Sequence, residues 1–498
     1  YVNQTLMQFK DLNIEYFQQA WQQVIQRHGI FRTSFVGLKT GNVHQRIHPS
    51  TQLSWSFTDL KEQSSLEQKK EIEKIRTQDK IKGFEASQAP LMRMILLDLG
   101  QGMHQLIWSH HHALLDGWCT PMIFSEVTEC YRALQAKEPP KLPEIPSYRE
   151  YSVWLSHQNE SEAREFWCNQ LLDIESPTPL PLVPQKKEEN QNNEESGFSL
   201  HHIQLSEEET AQLENLAQSA HTTVNVIVQA AWALLLSNYS GDKKVVFGAT
   251  TSGRPAELPR VEQMIGLFIN SLPVVIEVDE RASVSQWLQQ LHQQLIERET
   301  YNYFPLFEIQ RLTSINQALF DSLLIFENYP VDEAIGKQAA QVGLNVQEIH
   351  SFEETNYGIS LMAHLGATLS IKMEVKQHLL SKSAISQVAT HFKQLLLGLA
   401  QSQQKQVGQI EMLSAEETHS LIHNSKGTTV HHPTEKLIHE LFEEQAKLAP
   451  DRIAITFGKN TSEEKQLSYQ ALNKISNQFA HLLKTQGIHQ ETLVGICV

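Results

Sequence analysis

The sequence predicts an α+β protein built from two halves of similar size, and three observations lead to this fold class. The chain has 498 residues, which is more than one hydrophobic core usually organises, so two or more domains are expected. Strand-like apolar runs and segments with helical spacing of apolar residues alternate on both sides of residues 173–199. That segment is rich in proline and then in charge and asparagine, which is typical of a linker or exposed loop.

The composition limits the class of protein and the compartment to be expected. Hydrophobic residues make up 40% and charged residues 20% of the chain, as in ordinary soluble proteins. The formal net charge of −16 argues against a broad nucleic-acid-binding surface, which needs clustered Lys and Arg. The four cysteines are scattered without a CxxC pair, which indicates reduced thiols and a cytoplasmic protein.

No membrane-spanning or targeting segment is expected. The most apolar window, VIVQAAWALLL at 226–236, is too short to span a bilayer. The chain opens without Met and without an apolar leader. It opens on a strand-like pattern and closes on another, ETLVGICV, so we expect a piece of a longer protein.

The elements of the first half follow in order. The segment NIEYFQQAWQQVIQRH places apolar residues at helical spacing from Ile14 to Val24, with Asn13 as N-cap. The apolar runs PLMRMILLDLG and MHQLIWSHH flank GQG and predict a β-hairpin. A second amphipathic helix is predicted after Asp116 and Gly117, so the histidines before them lie where a strand ends and a helix begins.

The second half begins near residue 198. The segment TVNVIVQAAWALLLSNYSGDKKVVFGATTSGRP predicts a buried helix, a turn, a strand and a loop. A further linker is predicted near residues 413–434. After it, EKLIHELFEEQAKLAPDRIAITFG predicts a helix followed by a strand.

Three consecutive histidines, His110 to His112, end the apolar run IWSHHH. Successive strand residues point to opposite faces, so the three cannot all bind one metal if the strand continues, and no second zinc-like ligand pair is present. A His-rich surface turn and a single catalytic His remain as alternatives. Asp116 would need a cationic partner if buried, and Gly117 leaves space for close backbone or ligand approach.

The segment HHALLDG, residues 111–117, resembles the HHxxxDG signature of nonribosomal peptide synthetase condensation domains and their chloramphenicol acetyltransferase-like relatives. The family's first core motif is missing, but five further segments resemble its other motifs in the family's order and extend the resemblance over about residues 1–411. They are RHGIFRTSF (27–35), YREYSVWL (148–155), IGLFINSLP (265–273), NYFPLFEI (302–309) and FDSLLIFENYP (320–330).

The end of the chain resembles a second family. IHELFEEQAKLAPDRIAI and LSYQALN look like the opening of adenylation domains. The phosphate-binding loop of that family has no counterpart before Val498, so no adenylation is expected of this chain.

The two resemblances imply two acetyltransferase-like lobes in a V-shaped pseudo-dimer with a central tunnel, followed by the truncated start of an α/β adenylation domain. The implied boundaries are residues 1–175 for the N-terminal lobe, with its start truncated, 176–412 for the C-terminal lobe, 413–434 for a linker and 435–498 for the adenylation fragment.

The resemblance also implies roles for site residues. His112 would be the catalytic histidine, while His111 would point away and be structural. Asp116 holds the turn through an ion pair with Arg32 rather than transferring protons. Segments of the second half approach the tunnel, and their lining residues would be Asn270, Ser252, Gly253 and Arg254, with a structural role in its loop as the alternative for Asn270. Trp108 and Trp118 are expected to pack in the core.

The implied reaction is attack of a carrier-bound aminoacyl amine on the thioester of an upstream carrier. Neutral His112 could accept the amine proton, or it could orient the amine and stabilise the intermediate, and the sequence leaves both roles open. The partners would be the upstream and downstream peptidyl carrier domains and the adjoining adenylation domain, with no nucleic acid and no membrane. No metal or bound cofactor is expected, because the substrates arrive on 4'-phosphopantetheine arms.

Three competing functions share parts of this pattern. Epimerisation domains also carry HHxxxDG, but they usually follow a carrier domain, whereas this chain runs into an adenylation-like segment. Heterocyclisation domains carry DxxxxD in place of the two histidines, which HHALLDG disfavours. A degenerate carrier-docking module would lack turnover, and the intact His112 and Asp116 argue against it.

Overall fold

A computed structural model describes residues 2–179, 197–327, 339, 344–352, 355–425, 435–457 and 465–495. The chain divides into two compact units, Tyr1–Ser414 and Ala415–Val498. The first unit contains both halves that the sequence predicts, and the second contains the adenylation-like segment.

The strands of the described residues are, in chain order, β1 (Val2–Lys10), β2 (Thr33–Val36), β3 (His44–Ile47), β4 (Ser54–Asp59), β5 (Met92–Gly100), β6 (Met103–His111), β7 (Phe198–Gln204), β8 (Lys244–Thr251), β9 (Asn270–Glu277), β10 (Ser322–Glu327), β11 (Asn345–Phe352), β12 (Ile359–Leu365), β13 (Leu369–Lys376), β14 (Ile453–Phe457) and β15 (Lys465–Ser468).

The α-helices are α1 (Ile14–Arg27), α2 (Ser65–Lys82), α3 (Cys119–Ala136), α4 (Tyr148–Ser156), α5 (Glu160–Gln170), α6 (Glu207–Ser219), α7 (Val224–Ser240), α8 (Val284–Glu299), α9 (Leu306–Arg311), α10 (Lys382–Gln401), α11 (Ala415–Ser425), α12 (Ile438–Leu448) and α13 (Tyr469–Thr485). The mixture of strands and helices in both halves of the first unit confirms the α+β prediction.

The first sheet has the order β11-β1-β6-β5-β4. All neighbours are antiparallel except β4 and β5, which run parallel. Strand β11 comes from the half of the chain that was predicted to form the second lobe, yet it pairs with β1 from Gln4↔Phe352 to Lys10↔Asn345. The boundary at residues 175/176 therefore does not separate the two sheets, because the later half supplies an edge strand to the first.

Helix α1 confirms the sequence prediction. The side chain of Asn13 accepts a hydrogen bond from the backbone N–H of Tyr16 and so caps the helix. Phe17, Trp21 and Val24 are fully buried on one face of the helix. They join a core with residues of α3 and the first sheet, which places α1 and α3 together behind the strand that carries the histidines.

The predicted hairpin is also present, as β5 and β6. The strands pair from Met92↔His110 to Gly100↔Met103. Gly100 and Gly102 adopt positive φ values of 82° and 77° in the connection, which glycine tolerates without steric cost. The hairpin register fixes where β6 ends and therefore where the histidines leave the sheet.

The second sheet has the order β7-β13-β12-β10-β8-β9, with β12, β10 and β8 parallel to one another. Helix α7 packs in its core, and most residues of this apolar helix are buried, including Trp232 and Gln229. No single helix among the described residues is long and apolar enough to cross a membrane; only α6 and α7 taken together, bent by 102°, pass that test by length and composition.

The second unit has a two-stranded sheet, β14-β15, and helices α11 to α13. Residues 415–425 of the predicted linker form helix α11, because the segment AEETHSLIHNS carries acidic residues in its first turn and favours a helix. Other parts of the sequence-based assignment fall outside the described residues: 180–196 of the first linker, 328–330 of the last condensation-like motif, 426–434 of the second linker, and 458–464 and 496–498 of the tail.

Candidate active site

The three histidines occupy three different environments, because β6 ends within them. His110 faces the core, where its ring lies 4.8 Å from that of Trp108, and Trp108 is fully buried as expected. Burial, with smaller contributions from His112 and His111, lowers the pKa of His110 to about 3. His110 is therefore neutral and structural at ordinary pH.

His111 is the last residue of β6, and its Nδ1 accepts a hydrogen bond from the backbone N–H of Ala113 at 3.1 Å. This bond places the proton of the neutral ring on Nε2. Partial burial is the main cause that lowers the pKa of His111. The side chain thus caps the short turn that follows and does not share the environment of His112.

His112 begins a short 3-10 turn, His112–Leu114, and its Nδ1 lies 3.2 Å from the carbonyl oxygen of Leu115. A carbonyl only accepts, so Nδ1 is the donor, and the neutral ring keeps its lone pair on Nε2. Leu114 and Leu115 are buried in the core and hold this turn in place. Among the described residues, no group of His, Cys, Asp or Glu is arranged to hold a metal ion.

His112 opens onto a cavity of about 670 Å³. The remaining walls come from the second sheet and its loops, so the histidine of the first half faces residues of the second half. The lining combines apolar side chains with at least as many polar ones. Besides His112 it includes Asn270, Ser271, Leu306, Phe320, Asp321, Thr355, Tyr357, Lys376, His378 and Leu379.

Asp116 pairs with Arg254, and the predicted pair with Arg32 is wrong. The distance from Arg254 Nη2 to Asp116 Oδ1 is 3.3 Å, and the two side chains are 7% and 0% exposed. Arg32 instead donates through Nη1 to the backbone carbonyls of His48 and Pro49. The physical reason is that Arg32 follows α1 and points away from the turn, whereas the loop after β8 brings Arg254 against it.

Arg254 is held by several groups besides Asp116. Its Nη1 donates to the carbonyl oxygens of Val261 and Met264, at 2.6 and 3.0 Å. Its guanidinium lies 4.1 Å above the ring centre of Phe268. The arginine therefore ties the loop of residues 254–268 to the turn that positions His112.

The turn and this loop also meet through backbone groups. The N–H of Phe268 donates to Asp116 Oδ2 at 3.1 Å. The thiol of Cys119 donates to the carbonyl of Gly266 at 3.1 Å and lies 3.2 Å from Asp116 Oδ1. Burial, reinforced by Asp116, raises the pKa of the Cys119 thiol, which therefore stays protonated and remains a donor.

Tyr148 also contacts the loop that holds Asp116. Its hydroxyl donates to the carbonyl of Leu267 at 2.5 Å, and burial raises its pKa. Its ring packs so tightly on Gly266 that a Cβ atom there would overlap it. Tyr148 belongs to one of the motifs that the sequence singled out, but its role in joining the halves was not predicted.

The other sequence-predicted residues lie around the site in different ways. Asn270 lines the cavity of His112 and donates to the carbonyls of Asn302 and Phe304. Ser252 lines a separate cavity of about 220 Å³, together with Trp118. Gly253 adopts a φ of 61° and lies against the carbonyl of Phe268, so its role is conformational.

The two remaining predictions concern Gly117 and Trp118. Gly117 lies in the turn before α3, and its carbonyl accepts from the N–H of Thr120. Trp118 is 38% exposed, so the expectation that it packs in the core is wrong. It occupies the N-cap position of α3 without a side-chain capping bond and lines the smaller cavity.

Sequence reasoning missed the cavity wall opposite His112. Tyr357, Lys376 and His378 come from segments without a recognisable motif, and only the pairing of β12 and β13 brings them to the cavity. It also missed Cys119, whose position directly after the HHALLDGW segment was the available signal.

A comparison with protein families matches residues 1–422 to the family described as "Condensation domain". A linear gramicidin synthase polypeptide of Brevibacillus parabrevis is 38% identical over 489 residues, which cover 98% of this chain and 9% of the relative. Bacitracin synthase 3 of Bacillus licheniformis is 32% identical over 498 residues, which cover 100% of this chain and 8% of the relative. The chain thus spans only a small part of the length of these relatives.

Two solved structures show the same fold. The first condensation domain of the calcium-dependent antibiotic synthetase, in complex with a substrate analogue, has a TM-score of 0.65 at 16% identity and covers 83% of this chain and 94% of its own. A four-domain nonribosomal peptide synthetase bound to AMP and glycine has a TM-score of 0.67 at 16% identity. The match covers 98% of this chain and 37% of the synthetase. The chain belongs to the condensation domain family of nonribosomal peptide synthetases, whose members catalyse peptide bond formation.

Proposed function

We propose that the His112 cavity is where the amide bond forms, between a downstream carrier-bound aminoacyl group and an upstream acyl or peptidyl thioester. The observation that carries this proposal is the position of His112. Its Nδ1 is tied to Leu115, which leaves Nε2 as the basic nitrogen, and the residue lines a cavity whose other walls come from the second sheet. A substrate amine in this cavity could therefore donate a hydrogen bond to Nε2.

The chemistry follows from the pKa values of the partners. An α-amine has a pKa of roughly 8, so part of it is neutral and nucleophilic near pH 7. Its nitrogen attacks the thioester carbon and forms a tetrahedral species, and the carbon–sulfur bond then breaks. His112 Nε2 accepts the proton that nitrogen loses, or it holds the amine and stabilises the intermediate by a hydrogen bond, and the released thiolate stays on the upstream arm.

Asp116 takes no part in proton transfer in this proposal. Both of its carboxylate oxygens already accept hydrogen bonds, Oδ1 from Arg254 and Oδ2 from the backbone N–H of Phe268. A carboxylate with these partners serves to position the turn. Gly117 follows Asp116 in the turn that leads into α3, and His111 caps the turn from the other end.

We also propose the finer architecture that the family resemblance implies. The two mixed sheets would be chloramphenicol acetyltransferase-like lobes in a V, with a tunnel between them for 4'-phosphopantetheine arms from two carrier domains. The domain itself would bind no cofactor. Residues 435–498 would open an adenylation domain, which is supported by the family match ending at residue 422 while the four-domain synthetase covers 98% of the chain. A cytoplasmic location would suit the scattered cysteines.

The test is transfer between two loaded carrier domains. His112→Ala should lower the single-turnover rate about 10²-fold or more, the usual scale for a positioned acid–base group. His157→Ala is the matched control, because the Nδ1 of this exposed histidine also donates to a backbone carbonyl, that of Val153. Transfer at the unchanged rate by His112→Ala would refute the assignment. Docking of both carriers without transfer by the unaltered protein would indicate a binding module.

A further inference from the structure

The first unit contains a second cavity of about 650 Å³, separate from the one that His112 lines. One wall comes from the end of α1 and the following turn, Gly29–Arg32, and another from β3. The segment of residues 144–149, which leads into α4, closes a third side. Ile265, from the loop that holds Asp116, completes the lining.

The charge of this lining is the reverse of that of the whole chain. Arg27, Arg32 and Arg149 line the cavity, together with His28, whose ring hydrogen-bonds to Glu126, whereas Glu144 is the only acidic residue among its described lining residues. The chain as a whole carries a formal charge of −16. Three guanidinium groups around one cavity are therefore a local feature of this site.

Arg32 is not neutralised by a carboxylate among the described residues. Its Nη1 donates to two backbone carbonyls, and its Nε is buried without an acceptor. A buried donor without a partner costs free energy unless another group accepts its hydrogen bond. Asp116, the partner that the family resemblance implied for Arg32, is paired with Arg254 instead.

Arg149 adds a second guanidinium without an ion pair in the described part of the chain. It lies in the first turn of α4, a nine-residue helix whose N-cap is Ser147. The N-terminal end of this helix is already capped, because Ser147 and Glu150 accept hydrogen bonds from its first backbone N–H groups, so the positive charge comes from the guanidinium itself. Arg27, by contrast, is paired with Glu126 at 3.3 Å and supports the site from its edge.

We propose that this cavity binds a phosphate ester, with Arg32 and Arg149 as the principal ligands of the phosphate group. Guanidinium groups match phosphate oxygens with paired hydrogen bonds. The cavity exceeds the size of a phosphate ion, so the ester would also fill the space beside Ile30 and Ile265. This proposal does not rest on the condensation activity, since the cavity does not include His112.

A ligand in this cavity would lie beside Tyr148 and Ile265, which adjoin the loop that holds Asp116. Tyr148 lines this cavity and donates to Leu267, and Ile265 is the neighbour of Gly266. Binding is expected to stabilise the folded chain, because a ligand that binds only the folded state shifts the unfolding equilibrium.

The test compares binding and thermal unfolding of the full chain and its variants. The ligands are inorganic phosphate, 4'-phosphopantetheine and pantetheine without phosphate, against chloride at equal ionic strength. Arg32→Gln and Arg149→Gln should each weaken phosphate binding about tenfold or more, as expected for losing a charge-assisted hydrogen bond. Arg149 is exposed, so its variant should fold even if Arg32→Gln does not. Arg281→Gln, at an exposed arginine of the second sheet's half, is the matched control.

The ligands distinguish the source of the phosphate. Tight binding of 4'-phosphopantetheine but weak binding of pantetheine and inorganic phosphate would assign the site to a carrier arm. Equal binding of inorganic phosphate would assign it to free phosphate compounds. Phosphate also stabilises proteins by exclusion from their surface, but that effect should be the same in all variants. An equal rise in melting temperature in Arg149→Gln and the unaltered chain, without saturable binding, would overturn the proposal.

Discussion

At the scale of single residues, the buried pair of Asp116 and Arg254 carries the largest expected effect on stability. Both charges are almost inaccessible to water, so removing one partner leaves the other buried without compensation. Asp116→Ala and Arg254→Ala should therefore each lower the free energy of unfolding by about 3–5 kcal/mol. Urea unfolding, followed by tryptophan fluorescence, measures this change.

A double-mutant cycle decides whether the two residues interact. Asp116→Ala and Arg254→Ala should be far from additive in their effects on the unfolding free energy. Asp116→Ala combined with Arg32→Ala should be nearly additive, because Arg32 contacts other carbonyl groups. Additivity in the first cycle and coupling in the second would contradict the pairing in the structure.

His110 provides a prediction of pH dependence at the same scale. Burial holds its folded-state pKa at about 3, below the ordinary value of 6.5. Between these values the unfolded chain binds a proton that the folded chain does not, so the unfolding free energy falls by about 1.4 kcal/mol per pH unit as the pH drops below 6.5. His110→Leu should remove this contribution and leave a shallower slope between about pH 4 and 6.

The control for this slope is His157→Leu, at an exposed histidine on the end of α4. The His157→Leu variant should retain the steeper slope that His110 causes. Equal slopes for His110→Leu and the unaltered chain would mean that His110 is protonated in the folded state.

The site residues show which features of the site could be predicted from the sequence. The motif located His112 and Asp116, and burial of a charged turn predicted a cationic partner. The partner itself could not be read from the motif, because Asp116 and Arg254 are 138 residues apart and only tertiary packing joins them. The sequence analysis assigned Arg254 to the tunnel lining. That assignment placed the residue near the site but did not identify Asp116 as its partner.

At the scale of elements, local patterns predicted α1, the β5–β6 hairpin and α3, because each depends on periodicity or on a turn within one segment. Strand β11 was not predicted, although it lies within the range assigned to the second half and pairs with the first sheet. Its pairing with β1 joins segments at opposite ends of the first unit, and nothing in the segment NVQEIHSF specifies which sheet edge it will join. Non-local strand pairing is decided by the whole fold.

Close packing of α4 on the loop before β9 gives a prediction for this scale. Gly266→Ala would place a Cβ atom against the ring of Tyr148, and overpacking of this kind costs about 1–3 kcal/mol. The free energy of unfolding should fall by that amount, and the transfer rate should fall with it, because the same loop holds Asp116. Gly366→Ala is the control, since its nearest neighbour, the His364 side chain, would lie at 3.6 Å from the added Cβ. Equal stability of the two variants would argue against this contact.

At the scale of the whole molecule, the two units differ in how much apolar surface they bury. Both sheets of the first unit have extensive cores, whereas Ala446 is the only buried residue among the described residues of the second unit. Large apolar side chains remain open to solvent there, among them Leu437, Ile438, Leu448, Phe457 and Phe479, with exposed fractions from 59% to 88%. Since burial of apolar area is the main stabilising contribution, the second unit should be the less stable one.

The distribution of tryptophan makes this difference measurable. All eight tryptophans lie at or before Trp287, within the first unit, so tryptophan fluorescence reports the unfolding of that unit alone. Far-UV circular dichroism reports both units, because the second contains helices Ala415–Ser425, Ile438–Leu448 and Tyr469–Thr485. In a urea titration, part of the helical signal should therefore be lost at lower denaturant than the fluorescence transition. Coincident transitions by both probes would show that the second unit unfolds together with the first, and would contradict the inference from its exposed apolar side chains.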